Sequence, residues 1–180
     1  SLIIQAGVWK FIIDKDYGAL NTLLMKIGLI SSPVNWTPTP GAYFAWEIFV
    51  GIFVTVPFVT FCVLSGLQSI DNSYYEAATV DGANYWQKLF KITLPLVKSS
   101  LTVSTVLNII YVFNSFPIIW TITKGDPASR TDTLVTYLYK LAFYKGKSGE
   151  AAAVSVIGFL ILCICASVYM VLSLRKEDED

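Results

Sequence analysis

Tyr74–Val97, YYEAATVDGANYWQKLFKITLPLV, is a polar, charged stretch lying between two long apolar runs. Ser73 followed three residues later by Glu76 is a capping-box pattern: the hydroxyl takes an orphan N–H of the first turn and the carboxylate reaches back to the cap. Ala77 and Ala78 propagate a helix at little cost. Gly82 is the natural stop, being free to adopt positive φ. A second short helix is expected over Asn84 to Ile92, with Trp86, Leu89 and Phe90 on one face and Gln87, Lys88 and Lys91 on the other. Pro95, which has no amide hydrogen, is expected to end it. These residues predict a helix–glycine–helix bracket at a membrane surface, a shape suited to docking a partner.

Glu76-Ala77-Ala78, then three residues, Gly82, nine more residues and Ile92-Thr93-Leu94-Pro95 resemble the EAA loop of ATP-binding-cassette importer permeases at every fixed position. Asp81-Gly82-Ala83 is similar to the variant found in sugar permeases of the maltose-transporter kind. The resemblance implies an all-α, polytopic transmembrane bundle of the type I importer permease kind. It implies a transport subunit with no catalytic site, coupled to its motor through Tyr74, Tyr75, Glu76, Ala77, Ala78, Asp81, Gly82, Ala83, Ile92, Leu94 and Pro95. The implied partners are two cytoplasmic ATPase subunits that hold ATP and Mg, a second homologous permease subunit and an extracytoplasmic sugar-binding protein. The implied location is the inner membrane of a prokaryote, with the loop and the C-terminus cytoplasmic. On this reading the helix from Tyr74 to Asp81 docks into the ATPase with Glu76 paired to a basic residue, while Tyr74, Tyr75 and Trp86 act as apolar anchors.

Composition agrees with a membrane class. Hydrophobic residues make up 54% against 14% charged, 13 basic residues balance 13 acidic ones, and mean hydropathy is +0.59. That is too apolar for an ordinary soluble domain, and the absence of a basic excess points away from nucleic acid. Histidine is absent, which removes the commonest general base and metal ligand, and no metal site is expected. Cys62, Cys163 and Cys165 each sit inside an apolar run and read as small hydrophobes.

Along the chain, residues 1–13 are expected to be the end of a preceding span, with a self-contained interfacial strip as the alternative. Residues 14–41 are expected to form an external interfacial segment. Its helix places Leu20, Leu23, Leu24 and Ile27 on the apolar side and turns Asn21 and Lys26 away. Gly18 and Asn21 resemble the G-x-x-N segment that precedes a span in sugar permeases. Residues 42–180 are expected to be the permease domain, with its loop at about 69–97. A first span over Ala42 to Leu67 opens on Tyr43, Phe44 and Trp46, contains Pro57, and keeps Glu47 near headgroup water. A second span over Leu101 to Ile122 carries Asn108, Tyr111, Asn114 and Ser115. Buried amides and hydroxyls there face a wet cavity, where they suit a sugar, or bond between helices and hold the bundle together. In the family resembled, the matching helix lines the sugar site.

Thr123-Lys124-Gly125-Asp126-Pro127 resembles the T-x-G-G-P turn of sugar permeases, with Asp126 in place of the second glycine. Leu134, Leu138 and Leu141 space a short helix with Tyr137, Tyr139 and Tyr144 at headgroup level. A last span covers Ala151 to Leu174, and Arg175 to Asp180 form a solvated tail. Placing the loop inside puts residues 14–41 and 124–150 outside, although counting lysines and arginines favours the opposite sense. The spans have no ionisable residue in their cores, so an ion-pair cycle lacks parts. No phosphate-binding G-x-x-x-x-G-K-[ST] occurs in the chain, so another subunit must supply the energy. A secondary transporter or channel, and an importer permease for a non-sugar solute, are the alternatives.

Overall fold

A computed structural model describes residues 1–175; the expected solvated tail beyond Arg175 lies outside the described residues. The chain forms α1 (Leu2–Ile12), α2 (Ala19–Lys26), α3 (Pro40–Gln68), α4 (Asn72–Val80) and α5 (Tyr85–Lys88). A π-helical turn over Leu89–Thr93 leads into α6 (Leu94–Phe113), followed by α7 (Phe116–Ile122) and α8 (Leu134–Tyr139). A second π turn over Lys140–Tyr144 precedes α9 (Ser148–Arg175). No strand occurs among the described residues, and the class is all-α.

Among the described residues, three helices are long and apolar enough to cross a membrane: Pro40–Gln68, Tyr85–Phe113 and Ser148–Ser173. In their most apolar windows only 6%, 17% and 11% of residues are buried. Their apolar surface is thus left for lipid or for helices outside the described residues, as a span requires.

Proline decides where these helices run and stop. Pro40 opens α3 behind Thr39, whose Oγ1 accepts the Ala42 N–H at 3.3 Å; a first-turn proline loses no ladder bond. The helix continues through Pro57.

Pro95 does not end a helix, contrary to expectation: Tyr85–Phe113 is one rod. The π turn just before it widens the coil, and Leu94 N–H reaches Leu89 C=O five residues back. Thr93 Oγ1 donates to Lys88 C=O at 3.3 Å. The ring therefore enters at the start of a new α register.

Pro117 does the reverse. It was expected inside a span running to Ile122, but α6 stops at Phe113 and α7 restarts at Phe116. Pro117 cannot donate to Phe113 C=O, and it sits in the first turn of α7, where a missing N–H costs no ladder bond.

Two compact units are present: Ser1–Val54 with Val112–Ile161, and Thr55–Tyr111 with the chain from Leu162. In the first, Ala6, Val50, Ile118 and Ile122 form the buried core, with Trp9 and Val54 against it. Small Ala6 lets α1 lie along α7, and Trp9 meets Phe49 and Phe53 edge-on at 5.0 and 5.1 Å.

In α2 Asn21 is turned away from Leu23 and Ile27 as expected, and the side it takes packs into the protein. Asn21 is 1% exposed, whereas Leu23 and Ile27 point outward at 58% and 59%. The Asn21 amide uses its full capacity. Nδ2 donates to Lys15 C=O at 2.9 Å and Val34 C=O at 2.8 Å; Oδ1 accepts from Val34 N–H at 3.2 Å and Trp36 Nε1 at 2.9 Å. Gly18 is required here because a Cβ would lie 2.1 Å from Asp14 O.

In the second unit Gly66 of α3 packs on α6: a Cβ at Gly66 would lie 2.7 Å from Ser100 Oγ and 2.9 Å from Ser100 Cβ. Thr102 of α6 shares a 2.5 Å hydrogen bond with Ser173 of α9.

Two outcomes follow. Asn21→Leu leaves several buried backbone and indole groups unpaired, at roughly 1–3 kcal/mol each. It should lower the thermal midpoint in detergent well beyond an exposed Leu23→Ala control. Gly66→Ala should cost roughly 1–3 kcal/mol by overpacking, and Ser100→Gly in the same chain should restore much of the midpoint. Additive losses would refute the Gly66–Ser100 contact.

Candidate functional site

The bracket begins one cap earlier than its sequence suggests. Asp71, with extended backbone, is the N-cap of α4, and its carboxylate accepts the Ser73 N–H at 2.8 Å. Ser73 is therefore inside the helix, and the expected capping box with Glu76 does not form. A carboxylate at this position also meets the positive end of the helix dipole. The backbone N–H and then the hydroxyl of Ser73 hold the Asp71 carboxyl below its ordinary value. The cap is accordingly complete above that value and is lost only as pH falls beneath it. Released from capping, Glu76 is exposed, as are Tyr74, Ala77 and Asp81.

Gly82 closes α4 as expected. Its φ is +74°, Gly82 N–H bonds to Thr79 C=O at 3.1 Å and Ala83 N–H to Ala78 C=O at 2.9 Å, the paired bonds of a Schellman turn. Asn84 then caps α5 in a reciprocal box: its Oδ1 accepts Gln87 N–H at 2.9 Å, and Gln87 Oε1 accepts Asn84 N–H at 2.8 Å. The two arms are tied side chain to side chain. Tyr75 OH and Thr93 Oγ1 lie 3.0 Å apart, and Lys88 Nζ donates to Thr79 Oγ1 at 2.6 Å. Tyr75 is thus half-buried in the bracket rather than offered as an anchor, while Trp86 is 64% exposed. Ile92 and Ala83 are half-buried; Leu94 and Pro95 are exposed at the foot of α6.

The polar face predicted over residues 108–115 is split by the break before α7. Asn108 and Tyr111 are on α6, whereas Asn114 and Ser115 fall between α6 and α7, so the expected face of Asn108, Tyr111 and Ser115 does not lie on one helix. Asn108 Oδ1 is buried with no hydrogen-bond partner among the described residues.

A second polar centre went unrecognised in the sequence. Glu47, expected near headgroup water, is 4% exposed. Thr123 Oγ1 donates to Glu47 Oε1 at 2.6 Å and lies 2.9 Å from Thr131 Oγ1, which in turn donates to Asp126 C=O at 3.0 Å. Lys140 Nζ stands 3.0 Å from the Asp132 carboxylate. Gly125 has φ +83°, and a Cβ there would fall 1.8 Å from Asp132 Oδ1. It is the glycine the turn needs. Asp126 has no positive φ, so a side chain replaces the second glycine without strain. Lys124, Ala128 and Ser129 do adopt positive φ, near +58°, +55° and +58°, a cost the threonine and Asp132–Lys140 contacts offset. Asp132 lies just before α8 and Lys140 opens the π turn that follows it, and no motif in the sequence marks the pair. Thr123 also borders a cleft of about 500 Å³ whose walls carry Lys10, Lys15, Asp14 and Asp126 beside Asn35 and Tyr43.

The model of a family described as "Binding-protein-dependent transport system inner membrane component" matches residues 4–176. A probable ABC transporter permease protein of Brucella suis is 48% identical over 98% of this chain and 61% of its own length. The trehalose/maltose transport system permease protein MalF of Thermococcus litoralis is 34% identical over 98% of this chain and 59% of its own. The crystal structure of a bacterial alginate ABC transporter in complex with an alginate pentasaccharide-bound periplasmic protein has a chain matching at TM-score 0.84 and 25% identity, over 98% of this chain and 61% of that one. The chain thus spans about six tenths of the length of these relatives.

Gly82→Val forces a β-branched residue to positive φ, at roughly 1–2 kcal/mol. It should speed amide exchange at Ala83 and at the end of α4. Gly82→Asn, whose residue tolerates that conformation, should stay close to wild type. Equal effects of the two would remove the conformational requirement.

Proposed function

Because the chain belongs to the family of binding-protein-dependent transport system inner membrane components, we propose that it is the membrane-spanning subunit of an ATP-driven sugar importer. The carrying observation is the bracket: a capped α4 with Glu76 exposed, locked by a Schellman turn and a reciprocal box to the foot of a long span. In this reading α4 docks into a cytoplasmic ATPase subunit, Glu76 pairs with a basic residue there, and Ala77 permits close approach. The Tyr75–Thr93 and Lys88–Thr79 bonds make the bracket move as one piece, so displacement of α4 passes through the π turn into α6.

ATP and Mg would be held by the ATPase pair, and alternating access would require a second permease subunit. A saccharide-laden binding protein would deliver the solute from outside, and the bracket and C-terminus would face the cytoplasm of a prokaryote. The names of two relatives, a trehalose/maltose permease and an alginate importer, favour a sugar. The unpartnered amide oxygen of Asn108 is suited to a sugar hydroxyl, with Tyr111 three residues on.

Two measurements on the assembled transporter test this reading. Glu76→Lys should lose the ATPase on co-purification or uncouple hydrolysis from uptake; normal transport with normal association would sink the docking role. Asn108→Ala should raise the KM for uptake roughly tenfold, the worth of one good hydrogen bond, while basal hydrolysis is unchanged. An unaltered KM would remove Asn108 from the solute path.

A further inference from the structure

The cleft that Thr123 borders lies wholly within the first compact unit, among the end of α1, the segment leading into α3 and the turn after α7. Its volume of about 500 Å³ falls within the range of about 300–1,000 Å³ usual for small-molecule sites. Ile13 and Ile122 give it a buried apolar wall, and the rest of the lining is almost entirely polar. Neither the bracket nor Asn108 takes part in it.

The charges on its walls select a ligand by elimination. Lys10 and Lys15 stand there with Asp14 and Asp126, and no ion pair joins any of them among the described residues. Lys10 Nζ donates to Thr121 C=O at 3.0 Å. Asp14 Oδ1 accepts the Asp16 and Tyr17 N–H groups at 3.0 and 2.9 Å. Those partners are uncharged, so all four charges keep their sign. An anion entering the cleft meets two carboxylates, and a cation meets two ammonium groups. An apolar molecule strips water from all four without replacing it. Neutral groups complete the lining: Asn35 Oδ1 accepts Thr37 N–H at 3.1 Å, which leaves both Nδ2 hydrogens as donors, and the Tyr43 hydroxyl serves in either sense. A neutral molecule rich in hydroxyls, each at once donor and acceptor, matches this mixture.

Below the cleft is a second observation. Glu47 lies one turn beyond Tyr43 on the same face of α3, and Thr123 Oγ1 donates to its Oε1 at 2.6 Å. Its Oε2 is buried with no hydrogen-bond partner among the described residues, whereas buried polar atoms are ordinarily satisfied. A ligand hydroxyl is a donor of the kind that oxygen lacks.

We propose that this cleft is a saccharide subsite that holds a small neutral sugar through Asn35, Tyr43, Lys15 and Asp126, separate from the solute path at Asn108. The proposal rests on the sugar-importer reading for its orientation. With the bracket cytoplasmic, residues 14–41 and 124–150 lie outside, and the cleft holds sugar there before it crosses.

The test uses the assembled transporter in nanodiscs, without binding protein and without ATP. Saturation-transfer difference NMR is read with four probes: maltose, the anion glucuronate, the cation glucosamine and the zwitterion alanine. Maltose should give the strongest transfer. Asn35→Leu and Asp126→Asn alter exposed residues; each should weaken maltose binding roughly tenfold, the worth of one good hydrogen bond, with the thermal midpoint unchanged. Absence of transfer to maltose overturns the site. A stronger response to any of the other three probes overturns the ligand class. Maltose transfer that the two variants leave intact puts the sugar elsewhere and overturns the proposal as well. ATPase co-purification and ATP-driven uptake, read on the same samples, report separately on the importer reading: their absence with maltose contact retained refutes that reading and leaves the cleft site standing.

Discussion

The constraint on which this structure depends is that a peptide group in an apolar span must find its partner within the protein. Three prolines test that constraint and are met in three ways. Pro57 lies inside α3, where the helix runs on. Pro95 is accommodated by a π turn, with Thr93 closing on the Lys88 carbonyl. Pro117 receives no such help, and there the backbone breaks between Phe113 and Phe116. The break keeps α6 a single spanning rod and sets α7 apart as a short helix that builds the core with α1.

The same economy shapes the bracket. Each end of α4 and the start of α5 is satisfied locally: by Asp71, by the Schellman bonds around Gly82 and by the Asn84–Gln87 box. Nothing outside the segment is needed to hold its form, so its outward groups stay available. Two side-chain bonds join the arms, and the second arm is continuous with α6 through the π turn. A push on α4 therefore has a short, hydrogen-bonded route into a membrane span, with no hinge among the residues between Asn84 and Phe113.

Polar groups do the specifying work inside the first unit, while apolar ones face outward. Asn21 saturates four hydrogen bonds and fixes the Lys15–Trp36 segment; Glu47, Thr123 and Thr131 fix the strained turn at residues 124–129. In a water-soluble protein the same helix faces would be inverted. Where the surroundings are lipid, exposing Leu23 and Ile27 costs little, whereas a lone amide or carboxyl outside would cost several kcal/mol. Burying Asn21 and Glu47 among donors and acceptors is then the favoured arrangement.

The sequence by itself determined the local, short-range features. These are the three long apolar helices, the stop at Gly82 with its positive φ, and the spacing that marks the loop, each resting on neighbours within a few residues. Legible, too, was Gly125 as the glycine of its turn. Only the tertiary structure decided which groups face inward and which prolines break a helix. Asp71 displaced Ser73 as the cap because the extended backbone before α4 aims its carboxylate at the first turn. Asn21 turned inward because Val34, thirteen positions away, completes its hydrogen bonds, and Glu47 turned inward to accept from Thr123, seventy-six positions away. Pro95 stays within a continuous helix because Thr93, with Tyr75 beside it, supports a widened turn, whereas the helix breaks before Pro117 and restarts at Phe116. The inward turns of Asn21 and Glu47 depend on partners distant in sequence, and no periodicity in the chain carries them.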